Sequence, residues 1–317
     1  MKRTSILFVL LLILSRSFAQ VDIDKTIMVD GLQREYSIHL PPSYDTAQKL
    51  PIIFALHGGG GNYRQVVKFY KLNPPADKKG FIIVYPNAIN KAWNMPGIAS
   101  RIKDLDTTVD DVHFIYELMD TVIKNYKGDP KHIFSTGISR GGMFSLYLAD
   151  KLSDRIAGIA PVCASISQSI TNEYTFKHPT PVLLINGTAD PLVKYNGGVG
   201  EFNKGNEGND NSIMLPTEQL VKKIVQLDNC DTNAVVTNMN DNDPGDGCTE
   251  TESFYAGKVV VDFIAITNGG HTWPGGSQYL PKMFIGRVCR DFSAAEKITD
   301  FFAATFGQGW NAMSKKR

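Results

Sequence analysis

An excess of charge of either sign is missing from this chain. Its 33 Lys and Arg stand against 32 Asp and Glu, for a formal net charge of +1. Such a balance argues against a nucleic-acid partner and against docking on an anionic membrane. Cysteine is scarce too. There are four, Cys163, Cys230, Cys248 and Cys289, with no C-x-x-C pair and no Cys/His spacing of a zinc site, so no metal is expected. Beyond the first twenty residues there is no apolar run long enough to cross a bilayer, so no membrane anchor is expected there. No internal repeat, linker or low-complexity tail marks off a second module.

The chain opens on an export signal. Lys2 and Arg3 precede an apolar core, Ile6 to Leu14, and Ser17-Phe18-Ala19 ends it in small residues. This pattern predicts a signal peptide over 1–19 and a secreted or periplasmic protein. No cysteine stands at the cleavage point to take a lipid anchor. Residues 20–317 are expected to form a single catalytic domain. Export permits disulfides. Cys230 and Cys248 flank a polar, turn-rich loop, which makes Cys230–Cys248 the expected bridge. Cys163 and Cys289 are left as a second bridge or as two buried thiols.

Short apolar runs recur along the chain: Pro51–Leu56, Phe81–Tyr85, Ile156–Val162, Pro181–Ile185 and Lys258–Ile266. They read as strands buried on both faces. Between them lie helical patterns at Thr108–Tyr126, Met143–Leu152, Thr217–Leu227 and Ser293–Phe306. The alternation predicts an α/β fold, a mostly parallel sheet with helices on both faces. Leu32–Leu40 alternates apolar and polar and is expected as an early antiparallel edge strand. The stretches 196–211 and 238–250, rich in Gly, Asn and Asp, are expected as surface excursions.

Three motifs carry chemistry. Gly137-Ile138-Ser139-Arg140-Gly141 sits between a strand and a helix, as in a nucleophile elbow. Asp190 follows the Pro181–Ile185 strand and His271 follows the Lys258–Ile266 strand. Sites on open α/β sheets gather at these carboxyl ends. A serine hydroxyl needs a base to take its proton, and the base needs a third group to orient it. Ser139, Asp190 and His271 supply the three, in the chain order of α/β-hydrolases. Gly58-Gly59-Gly60-Gly61 follows an early strand and fits an oxyanion-stabilising loop. The N–H of Gly58 or Gly59, with that of Arg140, would be the donors. His57 heads that glycine run and is expected to be structural. Trp93 and Trp273 are expected to line a cleft for an aromatic acyl group or a sugar.

The segments "LHGGGGN", "VDDVHFI", "TGISRGGM", "NGTADPLV", "DNDPGDG" and "GGHTWPGG" together resemble, in order, secreted esterases of the polyhydroxybutyrate depolymerase-like and feruloyl esterase-like group. The resemblance runs from about Val29 to Phe306. It implies an α/β-hydrolase fold and a serine carboxylesterase without cofactor, with Ser139, Asp190 and His271 on the triad positions. Arg140 departs from the Asn common after the serine. The absence of a separate binding domain favours feruloyl or acetyl esters of plant polysaccharide over insoluble polyester. A short-chain polyhydroxyalkanoate (polyhydroxybutyrate) depolymerase or oligomer hydrolase, a serine peptidase of the same fold and a catalytically silent carbohydrate-binding protein are the rival readings. The 241–247 loop resembles a calcium loop in composition but not in ligand spacing, and is read as a turn.

Overall fold

The computed structural model describes residues 21–45, 47–97, 105–200 and 213–306. The signal peptide expected over 1–19 and residues 201–211 of the first polar stretch lie outside them. The chain opens on a hairpin, β1 (Val21–Val29) and β2 (Leu32–Leu40), turned by Asp30-Gly31, both at positive φ. β3 (Leu50–Leu56), α1 (Tyr63–Tyr70), α2 (Asn73–Lys79) and β4 (Ile82–Pro86) follow. α3 (Asp111–Tyr126) starts where the Asp110 side chain accepts the His113 N–H at 2.8 Å, the usual N-cap arrangement. Asp111 is buried beside it and pairs with Arg34.

Next come β5 (Gly128–Ile138), α4 (Arg140–Lys151), β6 (Gly158–Val162), β7 (Val182–Gly187) and α5 (Thr217–Leu227). The chain then runs through β8 (Val235–Asn238), β9 (Thr249–Ala256), β10 (Val260–Thr267), the short α6 (Lys282–Ile285) and α7 (Ala294–Phe306). The strands form one 10-stranded sheet in the order β1-β2-β4-β3-β5-β6-β7-β10-β9-β8. From β4 to β10 every pairing is parallel, and the pairings on both flanks are antiparallel.

Side chains alternate across each strand, so β3 feeds two cores. Ile52, Phe54 and Leu56 pack with α3, α4 and α5. Ile53 and Ala55 pack with α1, α2 and α7. With both faces covered, the central strands read as unbroken apolar runs. β2 is not the edge strand expected of Leu32–Leu40, because β1 pairs outside it. Part of the second polar stretch also proves to be sheet, since β8 begins at Val235 and β9 at Thr249.

The expected Cys230–Cys248 bridge is corrected by the same topology. Cys248 precedes the first residue of β9, whereas Asp231 N–H bonds to the carbonyl of Ala256 at its last residue. At ~3.4 Å per residue the strand holds the two cysteines roughly 25 Å apart, and a disulfide needs Cα atoms within about 7 Å. Cys230 packs in one core and Cys248 in the other. All four cysteines are buried free thiols. Among the described residues no helix is long and apolar enough to cross a membrane.

Candidate active site

The elbow forms where β5 runs into α4 with no loop between them. Ser139 takes φ 57° and ψ −124°, a conformation costly for a residue with a Cβ. It is held from three sides. Its N–H bonds to the carbonyl of Val162 at 2.9 Å, and its carbonyl accepts from Met143 at 2.8 Å. One residue earlier, Ile138 N–H donates to the hydroxyl of Tyr70 at 2.9 Å, which in turn donates to the carbonyl of Leu56 at 2.7 Å. Gly137 and Gly141 allow the crossing. A Cβ at Gly141 would stand 2.3 Å from the carbonyl oxygen of Leu56, and one at Gly137 would stand 2.5 Å from the same atom.

Asp190 and His271 meet at the ends of adjacent parallel strands. Nδ1 of His271 lies 2.7 Å from Oδ2 of Asp190. Oδ1 of Asp190 accepts the N–H groups of Leu192 and Val193 at 2.7 and 2.8 Å. The carboxylate is thus aimed by its own loop. The two loops are laced together, with Ala189 N–H donating to Gly269 and Thr188 N–H to Ile266. Ser139 and His271 line one cleft of about 550 Å³ with Gly58, Gly59, Arg140, Phe69, Tyr279, Leu192 and Leu280. Their side chains make no direct hydrogen bond. Catalytic hydrogen bonds often tighten only with substrate bound.

Gly58 and Gly59 form the floor of the cleft below the serine. A Cβ at Gly58 would lie 3.7 Å from Cβ of Ser139. The Arg140 amide opens α4 and has no carbonyl one turn earlier to bond. His57 is buried. It donates from Nδ1 to the carbonyl of Gly58 at 2.7 Å and accepts the Ala88 N–H on Nε2 at 3.0 Å. That arrangement requires the neutral ring. Burial above all, with help from the Arg140 charge, pushes its pKa down to about 4. The unfolded chain binds this proton near pH 6.5, so stability should fall as pH drops from 6.5 to 4, by up to about 3 kcal/mol. Urea unfolding at pH 7 and pH 4.5 should show this slope in the wild type and lose most of it in His57→Gln.

Neither tryptophan lines the cleft. Trp93 is fully buried. It stacks on Phe144 with ring centroids 4.9 Å apart and donates to the carbonyl of His57. Trp273 is 1 % exposed and stacks flat on Tyr70 at 3.9 Å. Two residues from His271 along the chain, its indole turns back into the core. Both therefore support the site from behind. The cleft wall is Phe69 and Tyr279, which meet edge to face at 5.1 Å. Tyr279 also donates to the carbonyl of His271 at 3.0 Å.

Sequence reading missed Tyr70 and Tyr279. It also missed that Cys163 is the buried thiol behind the Asp190–His271 pair. Ligand atoms of Cys163, Asp190 and His271 lie within 4.8 Å of one another. Burial pushes the thiol far up, and it donates to the carbonyl of Thr272. A neutral thiol beside a carboxylate-bound imidazole is no ready metal ligand. The other such group among the described residues is Asp246, Cys289 and Asp291. There the oxygens of Asp246 accept from Cys248 and Arg290, and Oδ1 of Asp291 accepts from Asn242 and Asp243. Asp291 thus holds the 241–247 loop through two of its amides, and Asp246 ties the loop to Cys248 and Arg290.

A family model for the α/β-hydrolase fold matches residues 51–184, which run from β3 through the elbow into β7. The chain has the α/β-hydrolase fold. Around this hydrolase core the chain is similar to NocK of Nocardia uniformis subsp. tsuyamanensis, a protein named as an esterase. The two are 28% identical over 284 residues, 87% of this chain and 81% of that one. It is 25% identical to feruloyl esterase B of Piromyces equi over 75% of this chain, but it spans only 42% of that protein's length. Among solved structures, a ferulic acid esterase from Anaeromyces mucronatus in complex with ferulic acid aligns over 91% of each chain, at 17% identity and a TM-score of 0.52. An acetyl xylan esterase from Aspergillus awamori aligns over 75% of this chain and 89% of that one, at 14% identity and a TM-score of 0.52.

Proposed function

We propose that this α/β-hydrolase is an exported serine carboxylic-ester hydrolase, one catalytic unit following the signal sequence. The carrying observation is Ser139 at the strained elbow in one cleft with His271, whose ring is bonded to Asp190 at 2.7 Å. In this reading Nε2 of His271 takes the Ser139 proton as Oγ attacks the ester carbonyl. Asp190 holds Nδ1 protonated and stabilises the imidazolium. The amides of Arg140 and of Gly58 or Gly59 bind the oxyanion. His271 then protonates the leaving alcohol, and water repeats the steps on the acyl-enzyme.

The aromatic wall of Phe69 and Tyr279 and the feruloyl and acetylxylan esterases among the similar proteins support feruloyl or acetyl esters of plant polysaccharide as substrates. No cofactor takes part in these steps. Purified protein should hydrolyse methyl ferulate or an acetylated xylan faster than hydroxybutyrate oligomers capped as neutral methyl esters, and should leave aminoacyl anilides intact. Cleavage of the anilides with no ester turnover would favour the peptidase reading. Sugar binding without labelling by a fluorophosphonate would favour a silent binding protein.

A further inference from the structure

The side chain of Arg140 has no part in the mechanism above, which uses only its amide. Yet it lies in the cleft. Its half-buried guanidinium stem covers Gly59, where a Cβ would stand 2.8 Å from Cδ, Nε and Cζ. Gly59 neighbours the glycine that approaches Ser139, so the cation lines the same cleft beside the glycine loop. Among the described residues it has no hydrogen-bond or ion-pair partner. The other arginines held near the surface of a core do: Arg34 pairs with Asp111 and Arg155 with Asp120.

The cleft offers Arg140 nothing of opposite sign. No Asp or Glu lines it among the described residues. The carboxylate of the site, Asp190, is committed to His271 and to two amides. A cation kept half-desolvated without a counter-charge is unfavourable, and burial alone pushes the Arg140 pKa below its usual value. An anion entering the cleft would offset that cost. The oxyanion is too brief to do so, and it belongs to the amides. A resting anion on the substrate would do so. A planar guanidinium fork receives a carboxylate in two parallel hydrogen bonds.

We infer that the ester cleaved here carries a carboxylate or similar oxyanion a few bonds from the scissile carbonyl, and that Arg140 receives it. This rests on the ester-hydrolase reading and names the substrate chemistry of that site. Phe69, Tyr279, Leu192 and Leu280 then hold the apolar part of the substrate while Arg140 holds its charge.

The anion can sit on the acyl or on the alcohol side, and matched pairs separate the two. Monomethyl succinate against methyl butyrate tests the acyl side. 3-Acetoxypropanoate against butyl acetate tests the alcohol side. The reading is the ratio of kcat/KM for the anionic member to that for the neutral one. It should be about tenfold in favour of the anion in one arm, as charge-assisted hydrogen bonds imply, and should shrink as salt is raised. Arg140→Gln should bring the ratio near one, and Arg140→Glu should invert it. Because it is a ratio, a general loss of activity in either variant leaves it readable. A wild-type ratio near one in both arms, or one that Arg140→Gln leaves unchanged, overturns the inference. If no ester of any kind is turned over, the functional reading is what fails. Calorimetry of succinate against succinamide then decides Arg140 alone. Selective succinate binding lost in Arg140→Gln supports it, and equal or absent binding overturns it.

Discussion

Ser139→Ala should lower kcat/KM on p-nitrophenyl acetate by on the order of 10⁴-fold or more while leaving the circular dichroism spectrum and the unfolding midpoint close to wild type. Among the described residues no second serine, threonine or cysteine lines the cleft. The hydrogen bonds that hold the elbow come from the backbone of Ser139 and from Tyr70, not from the serine hydroxyl. Asp190→Asn should cost about 10⁴-fold for a different reason. The amide would offer its NH₂ or its carbonyl to Nδ1, and would let the ring settle in the tautomer that presents a proton to Ser139 instead of a lone pair. The two variants differ in a second readout. A fluorophosphonate should label Asp190→Asn slowly and Ser139→Ala not at all. Wild-type turnover in Ser139→Ala would remove the serine from its role, and equal labelling of both variants would point to another nucleophile.

Gly141→Ala should destabilise the fold by about 3 kcal/mol or more, the upper part of the overpacking range. The new Cβ would press on two carbonyl oxygens, 2.3 Å away at Leu56 and 2.8 Å away at His57. Both belong to backbone that cannot retreat. Leu56 ends a central strand paired on either side, and its carbonyl also receives the Tyr70 hydroxyl. Relief would have to come from tilting α4, which would move Ser139. Urea unfolding should therefore show the loss, and the residual folded protein should be slow on every ester. Gly60→Ala is the contrast. Open space surrounds that position, but φ is +75°, so only the backbone penalty of roughly 1 kcal/mol applies. Equal costs for the two substitutions would show that α4 does not depend on this close approach.

The strand-end motifs were legible because each is local. Glycines flanking a serine between an apolar run and a helix, an aspartate just past a buried strand, and a histidine among glycines past another are patterns a few residues long. Parallel-sheet geometry brings such ends to one rim, which is why Asp190 and His271, 81 residues apart, are in contact. The central strands were legible for a similar reason, since burial on both faces writes an unbroken apolar run. β9 was not. Its inward positions include Glu250 and Glu252 beside Phe254, so polar side chains occupy the buried phase and hide the period of two.

What only the tertiary structure decided is the direction each side chain takes and the partner it finds. Trp273 is two residues from His271, yet nothing in that spacing says whether the indole faces the cleft or the core, and stacking on Tyr70 turned it inward. Tyr70 braces the elbow from 68 residues away. Cys230 and Cys248 are near in sequence and lie at opposite ends of one strand. Arg140 reads as an ordinary residue after the serine until the folded chain surrounds it with glycine backbone and apolar wall and no carboxylate to spare. Short patterns in the chain settle which groups can react. Which groups meet, and which charge is left without a partner, depends on contacts between distant segments that no local pattern records.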